Sequence, residues 1–179
     1  NRVQNGDMAI TQRTVSATTD ISYPVDRWRI RKTNASAVVT ATQSATAPTG
    51  FTYSLLWTTN TGATSSAADI ADVVHVIEGC NVYDLAWGTA SAKSVTVSFW
   101  VRGSLTGTYS LFCGNAASDP NGIWYTTTYT ISAANTWERK TITIPGPNTG
   151  TWQTGQVGAI ALIFGLGSGS DYQTSTLNS

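Results

Sequence analysis

Charge is scarce in this chain: Lys, Arg, Asp and Glu make up 11% of its 179 residues, and ten of each sign cancel. A weakly charged, neutral chain carries no electrostatic footprint for nucleic acid or for an anionic membrane surface. Histidine is scarcer still. The single histidine, His75, stands in an apolar stretch without a nucleophile-elbow motif. A Ser-His-acid set needs a base held beside the nucleophile and oriented by a third group, so none is expected, and His75 reads as a half-buried structural side chain. Glu78 and Glu138 are the only glutamates, and the eight aspartates are scattered, with no spacing that sets two carboxylates across a sugar. One histidine and two separated cysteines, Cys80 and Cys113, argue against zinc. A disulfide between them and a pair of buried thiols both fit the sequence. No glycine-rich phosphate loop precedes a helix. No apolar run approaches the roughly 20 residues that span a bilayer. The opening residues lack the basic-then-apolar order of a secretory leader, so none is expected. These absences weigh against an enzyme, and no cofactor is expected.

What the chain has is strand-forming sequence. Ser and Thr together outnumber the charged residues by more than two to one, and there are seven Trp and seven Tyr. Such a composition favours strands over helices. The clearest stretch is residues 94–102, Ser-Val-Thr-Val-Ser-Phe-Trp-Val-Arg. Val95, Val97, Phe99 and Val101 alternate with Thr96, Ser98, Trp100 and Arg102, as in a strand with one face in a core and one in water.

Other segments follow suit. The turn signal Asn5-Gly6-Asp7 leads into a short strand predicted over residues 8–13, followed by a loop over 15–22. Further strands are predicted over 26–32, 38–43, 51–59 (Phe51, Tyr53, Leu55 and Trp57 on one face) and 73–78. Residues 67–72 read as a helical turn or a bend, and 80–86 as a turn or a single helical turn. Residues 107–113 read as the hairpin partner of the central strand, and Asp119-Pro120-Asn121-Gly122 as a turn before a strand over 123–131. A strand over 137–144 ends at Pro145-Gly146-Pro147, which no ladder includes in its interior. The last, over 157–166, is apolar on both faces, as a strand deep between two sheets must be. Turns at 8–12-residue spacing with no helix of ordinary length indicate a two-sheet antiparallel sandwich or barrel. One domain over residues 1–170 is expected, with a polar tail over 171–179 that is truncated or flexible, its closing strand missing or supplied by another chain.

Binding is easier to support than catalysis. An aromatic ring on a polar sheet face stacks on the apolar face of a sugar, while neighbouring polar groups supply hydrogen bonds. Trp100, flanked by Ser98 and Arg102, is the first candidate for carbohydrate binding, with Trp124 next; Trp137 and Trp152 lie near loops or on mixed faces. Each of these rings fits equally a core cap or a subunit interface. Arg27, Arg29 and Arg31 alternate with Trp28 and Ile30, and their row either grips an anionic partner or is a solvated face balanced by acids such as Asp26. The sequon Asn34-Ala35-Ser36 matters only in a eukaryotic secretory pathway.

Several segments together resemble jelly-roll domains of bacteriophage virion proteins. They are the run Asn5-Gly6-Asp7-Met8-Ala9-Ile10-Thr11-Gln12-Arg13, Asp26-Arg27-Trp28, Ile77-Glu78-Gly79, Leu85-Ala86-Trp87-Gly88-Thr89-Ala90, Val95-Thr96-Val97-Ser98-Phe99-Trp100-Val101, Asn135-Thr136-Trp137-Glu138 and Ile142-Thr143-Ile144-Pro145-Gly146. The resemblance covers nearly the whole chain. It implies a jelly-roll β-sandwich like that of carbohydrate-binding modules, in a tail-fibre, appendage or capsid-decoration protein of the virion. It also implies that Trp28, Trp87 and Phe99 pack as fold determinants. Related carbohydrate-binding sandwiches hold a structural calcium, and Asn5 and Asp7 match the first half of such a site.

The expectation is therefore a non-enzymatic tail-fibre or receptor-binding module. It would attach to host surface glycan, act as a homo-oligomer such as a trimer, and contact other virion proteins. Two alternatives remain: a capsid-decoration or head-fibre protein that holds subunits together without binding sugar, and a carbohydrate-binding module of a bacterial glycosidase.

Overall fold

A computed structural model describes residues 1–13, 21–115 and 122–173. The expected loop over 15–22 (all but its last two residues), the turn at Asp119-Pro120-Asn121 and most of the polar tail lie outside the described residues. The described chain is all-β. Its strands are β1 (Ser22–Val25), β2 (Trp28–Lys32), β3 (Val38–Ser44), β4 (Ser54–Thr61), β5 (Ile70–Glu78), β6 (Val95–Val101), β7 (Gly107–Asn115), β8 (Trp124–Ile131), β9 (Glu138–Ile144) and β10 (Gly158–Ser168). Only short 3₁₀ turns interrupt them, at Gly79–Asn81, Tyr83–Leu85 and Ser170–Tyr172. The hydrogen-bonded order is β1-β2-β5-β10-β7-β8, with two-stranded ribbons β3-β4 and β6-β9 beside it. Of the sandwich and the barrel that the strand spacing allows, this is the antiparallel sandwich, jelly-roll-like as the resemblance implies.

The chain divides into two compact units, one holding Val3–His75 and Ile163–Ser175, the other Val76–Leu162. In the first, the core joins Val25, Trp28, Ile30 and Val73 to Ala41, Leu55 and Trp57 of the β3-β4 ribbon, with Val3, Met8 and Phe164 at its margin. Alternation explains the set: Trp28 and Ile30 face inward and are buried, while Arg29 and Arg31 between them face outward. Phe51 is the exception among the expected inward aromatics. It precedes β4 and is exposed.

Residues 8–13 form no strand, contrary to the sequence expectation. Asn5, itself in a left-handed conformation (φ 49°), takes the Ile10 N–H from any ladder and shares the Ile10 carbonyl with the Asp26 N–H, which donates to it at 3.1 Å. Its Nδ2 donates to the carbonyls of Ile10 and Asp26, both at 2.8 Å, and its Oδ1 accepts from the Ile10 N–H at 2.9 Å. The Trp28 indole N–H donates to the Asn5 carbonyl at 2.9 Å, so the Asn5 turn and the first core tryptophan fix each other. His75 is fully buried rather than half-buried, with its ring 4.7 Å from that of Trp28.

In the second unit, β6 pairs with β9 from Val95↔Ile144 to Val101↔Glu138. The expected β6-β7 hairpin is not formed; β7 pairs instead with β8, from Gly107↔Ile131 to Gly114↔Trp124. The β6-β9 ribbon lies over the β7-β8 pair through Phe99, whose ring meets Tyr129 edge-on at 5.0 Å, while Tyr109 stacks on Tyr129 at 5.9 Å. In β10, Ala159, Ile160, Ala161 and Leu162 are all buried, as two covered faces require.

Cys80 is exposed and Cys113 buried, and both are free thiols, so the disulfide alternative does not hold. Burial pushes the Cys113 thiol up to about 12.

Candidate functional site

The outward face of the β6-β9 ribbon gathers the first candidate residues. Because Phe99 points into the layer below, its neighbours Ser98 and Trp100 point away from it. Thr96, Ser98, Trp100 and Arg102 are all exposed, and so are the residues set across from the first three, Thr143, Thr141 and Arg139. Residues on one face of a strand repeat at about 6.8 Å. The result is a flat polar strip with one indole, 39% exposed, near one end. Thr96 and Thr143 share a hydroxyl hydrogen bond at 3.3 Å, and Arg102 Nε donates to the Asn135 carbonyl at 2.8 Å. The second contact holds the Arg102 fork beside the strip and leaves its terminal amino groups outward.

At the same end of the ribbon, the inward face of β9 carries an ion pair opposite Phe99 and Val101. Lys140 Nζ donates to Glu138 Oε2 at 2.6 Å, and Glu138 Oε1 accepts the backbone N–H groups of Ser132 and Ala133, each at 2.8 Å. The Lys140 hydrogen bond, followed by that from the Ala133 N–H, lowers the Glu138 carboxyl to about 2. This arrangement closes the turn before β9, and so steadies the Asn135 carbonyl on which Arg102 rests.

Trp124 does not join this strip. It starts β8 opposite Gly114, and a Cβ at Gly114 would lie 2.5 Å from its ring, so the indole lies over the Gly114 backbone. Five residues separate it from Tyr129 along an unbroken ladder, which puts Trp124 on the face turned away from Phe99. Trp100 and Trp124 therefore look out from opposite sides of the unit.

The Arg row is divided. Arg27 sits in the tight β1-β2 turn with φ 75°. Arg29 is half-buried and outward on β2. Arg31 forks onto Asp72, its Nε donating to Oδ1 at 2.9 Å and its amino group to Oδ2. Asp72, 3% exposed, is the acid that faces this row. Asn5 and Asp7, singled out for calcium, have main-chain partners: those of Asn5 given above, and for Asp7 the Ala9 N–H at 3.4 Å. Among the described residues no group of three or more His, Cys, Asp and Glu is placed to hold a metal ion. The Asn34 amide of the sequon donates to the Thr64 carbonyl and to Asp69.

A second feature of this unit was not legible in the sequence. The segment 79–88 is stitched to residues 147–157 by the N–H groups of Gly79, Cys80 and Gly88, which donate to the carbonyls of Val157, Gly155 and Pro147 at 3.0, 2.7 and 2.8 Å. The approach is close: a Cβ at Gly79 would lie 2.3 Å from the Gln153 carbonyl oxygen, and one at Gly88 2.4 Å from that of Gly150. Between the segments lies a small pocket lined by Val82, Tyr83, Trp87, Trp152, Gln153, Thr154, Ala159 and Ile160. Trp87 and Trp152 meet edge-on at 4.8 Å. Tyr83, 66% exposed, stands in the polar run Asn81-Val82-Tyr83-Asp84, an aromatic out of place in a turn and the one sequence signal for this site.

No protein-family model matches the sequence, and no curated protein matches it. Among the solved structures that resemble it are the following two. One is the enzymatically active domain of tailspike protein 4 of bacteriophage CBA120, with a TM-score of 0.52, 16% identity and 94% of this chain covered; this chain spans 20% of that one. The other is the CBM22-2 xylan-binding domain of Paenibacillus barcinonensis Xyn10C, with a TM-score of 0.45, 15% identity and coverage of 89% of this chain and 90% of that one. At 16% identity the likeness to the tailspike domain is one of fold alone, and the chain's own strand pairing places it among all-β antiparallel domains.

Proposed function

We propose that this chain is a non-catalytic module of a phage virion, of the tail-fibre or receptor-binding kind, that attaches to host surface glycan through the outward face of the β6-β9 ribbon. The observation that carries the reading is Trp100. An indole 39% exposed stands among Ser98, Arg102, Arg139 and Thr141 on a flat polar strip, its outer part open to a ligand. Such a ring stacks on the apolar face of a sugar, and the flanking hydroxyls and guanidinium groups meet its hydroxyls. A strip open along its length suits the interior of a polysaccharide chain. One ring gives weak binding, and a symmetric homo-oligomer displaying several copies raises it by effective concentration. The virion setting is supported by the sequence segments that resemble phage jelly-roll domains.

The test is a glycan array and host-cell binding with the native oligomer, beside Trp100→Ala. Because the indole is outward, the variant keeps its stability to within about 0.5 kcal/mol, checked by circular dichroism and urea unfolding. Saturable binding weakened at least about tenfold by the substitution is the expected result. Binding that the variant retains moves the site off this face. No binding by the native oligomer overturns attachment in favour of a decoration role.

A further inference from the structure

We infer that the pocket between residues 79–88 and 147–157 is a separate binding site for an N-acetylated sugar, its acetamido methyl group seated on the pocket floor. The inference stands apart from the reading of the β6-β9 face and needs none of its residues.

The floor is apolar. Val82, Trp87, Ala159 and Ile160 are each buried, at 6%, 8%, 0% and 4% exposure. Both indole N–H groups at the site are already engaged, Trp87 with the Lys93 carbonyl at 2.8 Å and Trp152 with the Thr149 carbonyl at 3.1 Å. The two rings therefore offer carbon edges and faces only, and their orientation is fixed. The rim is different. Tyr83, Gln153 and Thr154 are exposed, and within the described residues their hydroxyl, amide and hydroxyl groups make no hydrogen bond. A built apolar floor under three unengaged polar groups is the composition of a small-molecule site.

Size selects the occupant. The interior has room for little more than one water-sized group, too little for a pyranose ring and enough for a methyl group. A ligand that fits places a methyl group on the floor and, one or two bonds away, a donor and an acceptor at the rim. An acetamido group has that layout: its N–H meets the Gln153 or Thr154 oxygen, its carbonyl accepts from the Gln153 amide or the Tyr83 hydroxyl, and the ring it hangs from lies against Trp152. The 6-deoxy sugars supply the methyl group without the amide, and plain hexoses supply neither.

The experiment is a titration of the ¹⁵N-labelled chain, followed through the indole N–H signals of Trp87 and Trp152, with N-acetylglucosamine, glucose and a 6-deoxyhexose. N-acetylglucosamine is expected to move both signals saturably, with the other two sugars at least about tenfold weaker. Tyr83→Ala and Gln153→Ala, both at exposed positions, should each weaken binding about fivefold, the loss of one net hydrogen bond. Trp100→Ala should leave the titration unchanged, which separates failure here from failure of the β6-β9 face. Glucose or the 6-deoxyhexose binding as well as N-acetylglucosamine overturns the assignment, as do unmoved indole signals or binding indifferent to both rim substitutions.

Discussion

Replacing Arg31 with methionine tests the buried carboxylate of Asp72 in the first unit. Asp72 is 3% exposed, whereas the Arg31 side chain that forks onto it keeps 28% of its surface in water. The two partners should therefore fail unequally. Arg31→Met takes the forked partner away from a carboxylate set in the sheet, and the cost belongs at the low end of the range for broken buried pairs, about 3 kcal/mol, because the pair is partly solvated. Asp72→Asn takes the carboxylate from a guanidinium that already keeps part of its surface in water, at about 1 kcal/mol. In the double variant the contact between the two side chains is removed whole, so its loss should fall about 2 kcal/mol short of the sum of the singles. Urea unfolding of the four proteins at neutral pH supplies the numbers. In a melt, each kcal/mol should appear as about 2–4 °C. Equal losses from the two single variants, or additivity within about 0.5 kcal/mol, would refute the reasoning and return Arg31 to the pool of cations open to an anionic partner.

Three further predictions are independent of this one. A thiol reagent should modify only Cys80 in the native protein and both cysteines in denaturant, since Cys113 is buried and its thiol is raised to about 12. Glu138 titrates at about 2 in the fold against an ordinary value of 4.5, so its contribution to stability is present above about pH 4.5 and is lost as the pH falls through about 2. The stability difference between wild type and Glu138→Gln, measured by urea unfolding across that window, should shrink toward the acid end. Gly114→Ala drives a methyl group to within 2.4 Å of the Ile123 carbonyl oxygen and 2.5 Å of the Trp124 ring. It should cost about 1–3 kcal/mol, and an unchanged urea midpoint would contradict that packing.

The sequence by itself determined the class of fold and the sides of its strands. Alternation in residues 94–102 placed Phe99 inward and Trp100 outward, alternation over 26–32 set Trp28 and Ile30 on the buried side, and the unbroken apolar run in β10 announced two covered faces. These are local properties, set by the period of the strand and the cost of leaving large rings in water. Partners are not local. The pattern of β6 is satisfied by any neighbour that covers the same face, and β9 rather than β7 takes the place. The short strand expected over residues 8–13 failed because one side chain, Asn5, captures hydrogen bonds that propensity assigns to a ladder. Tertiary structure alone decided that Trp100 and Trp124 face opposite ways, that Arg31 has Asp72 for a partner, and that Tyr83, Trp87 and Trp152 share a pocket. Each outcome depends on bringing together segments far apart in the chain. Sequence periodicity carries no information about that meeting, which the register of the sheets and the close approach at Gly79 and Gly88 impose.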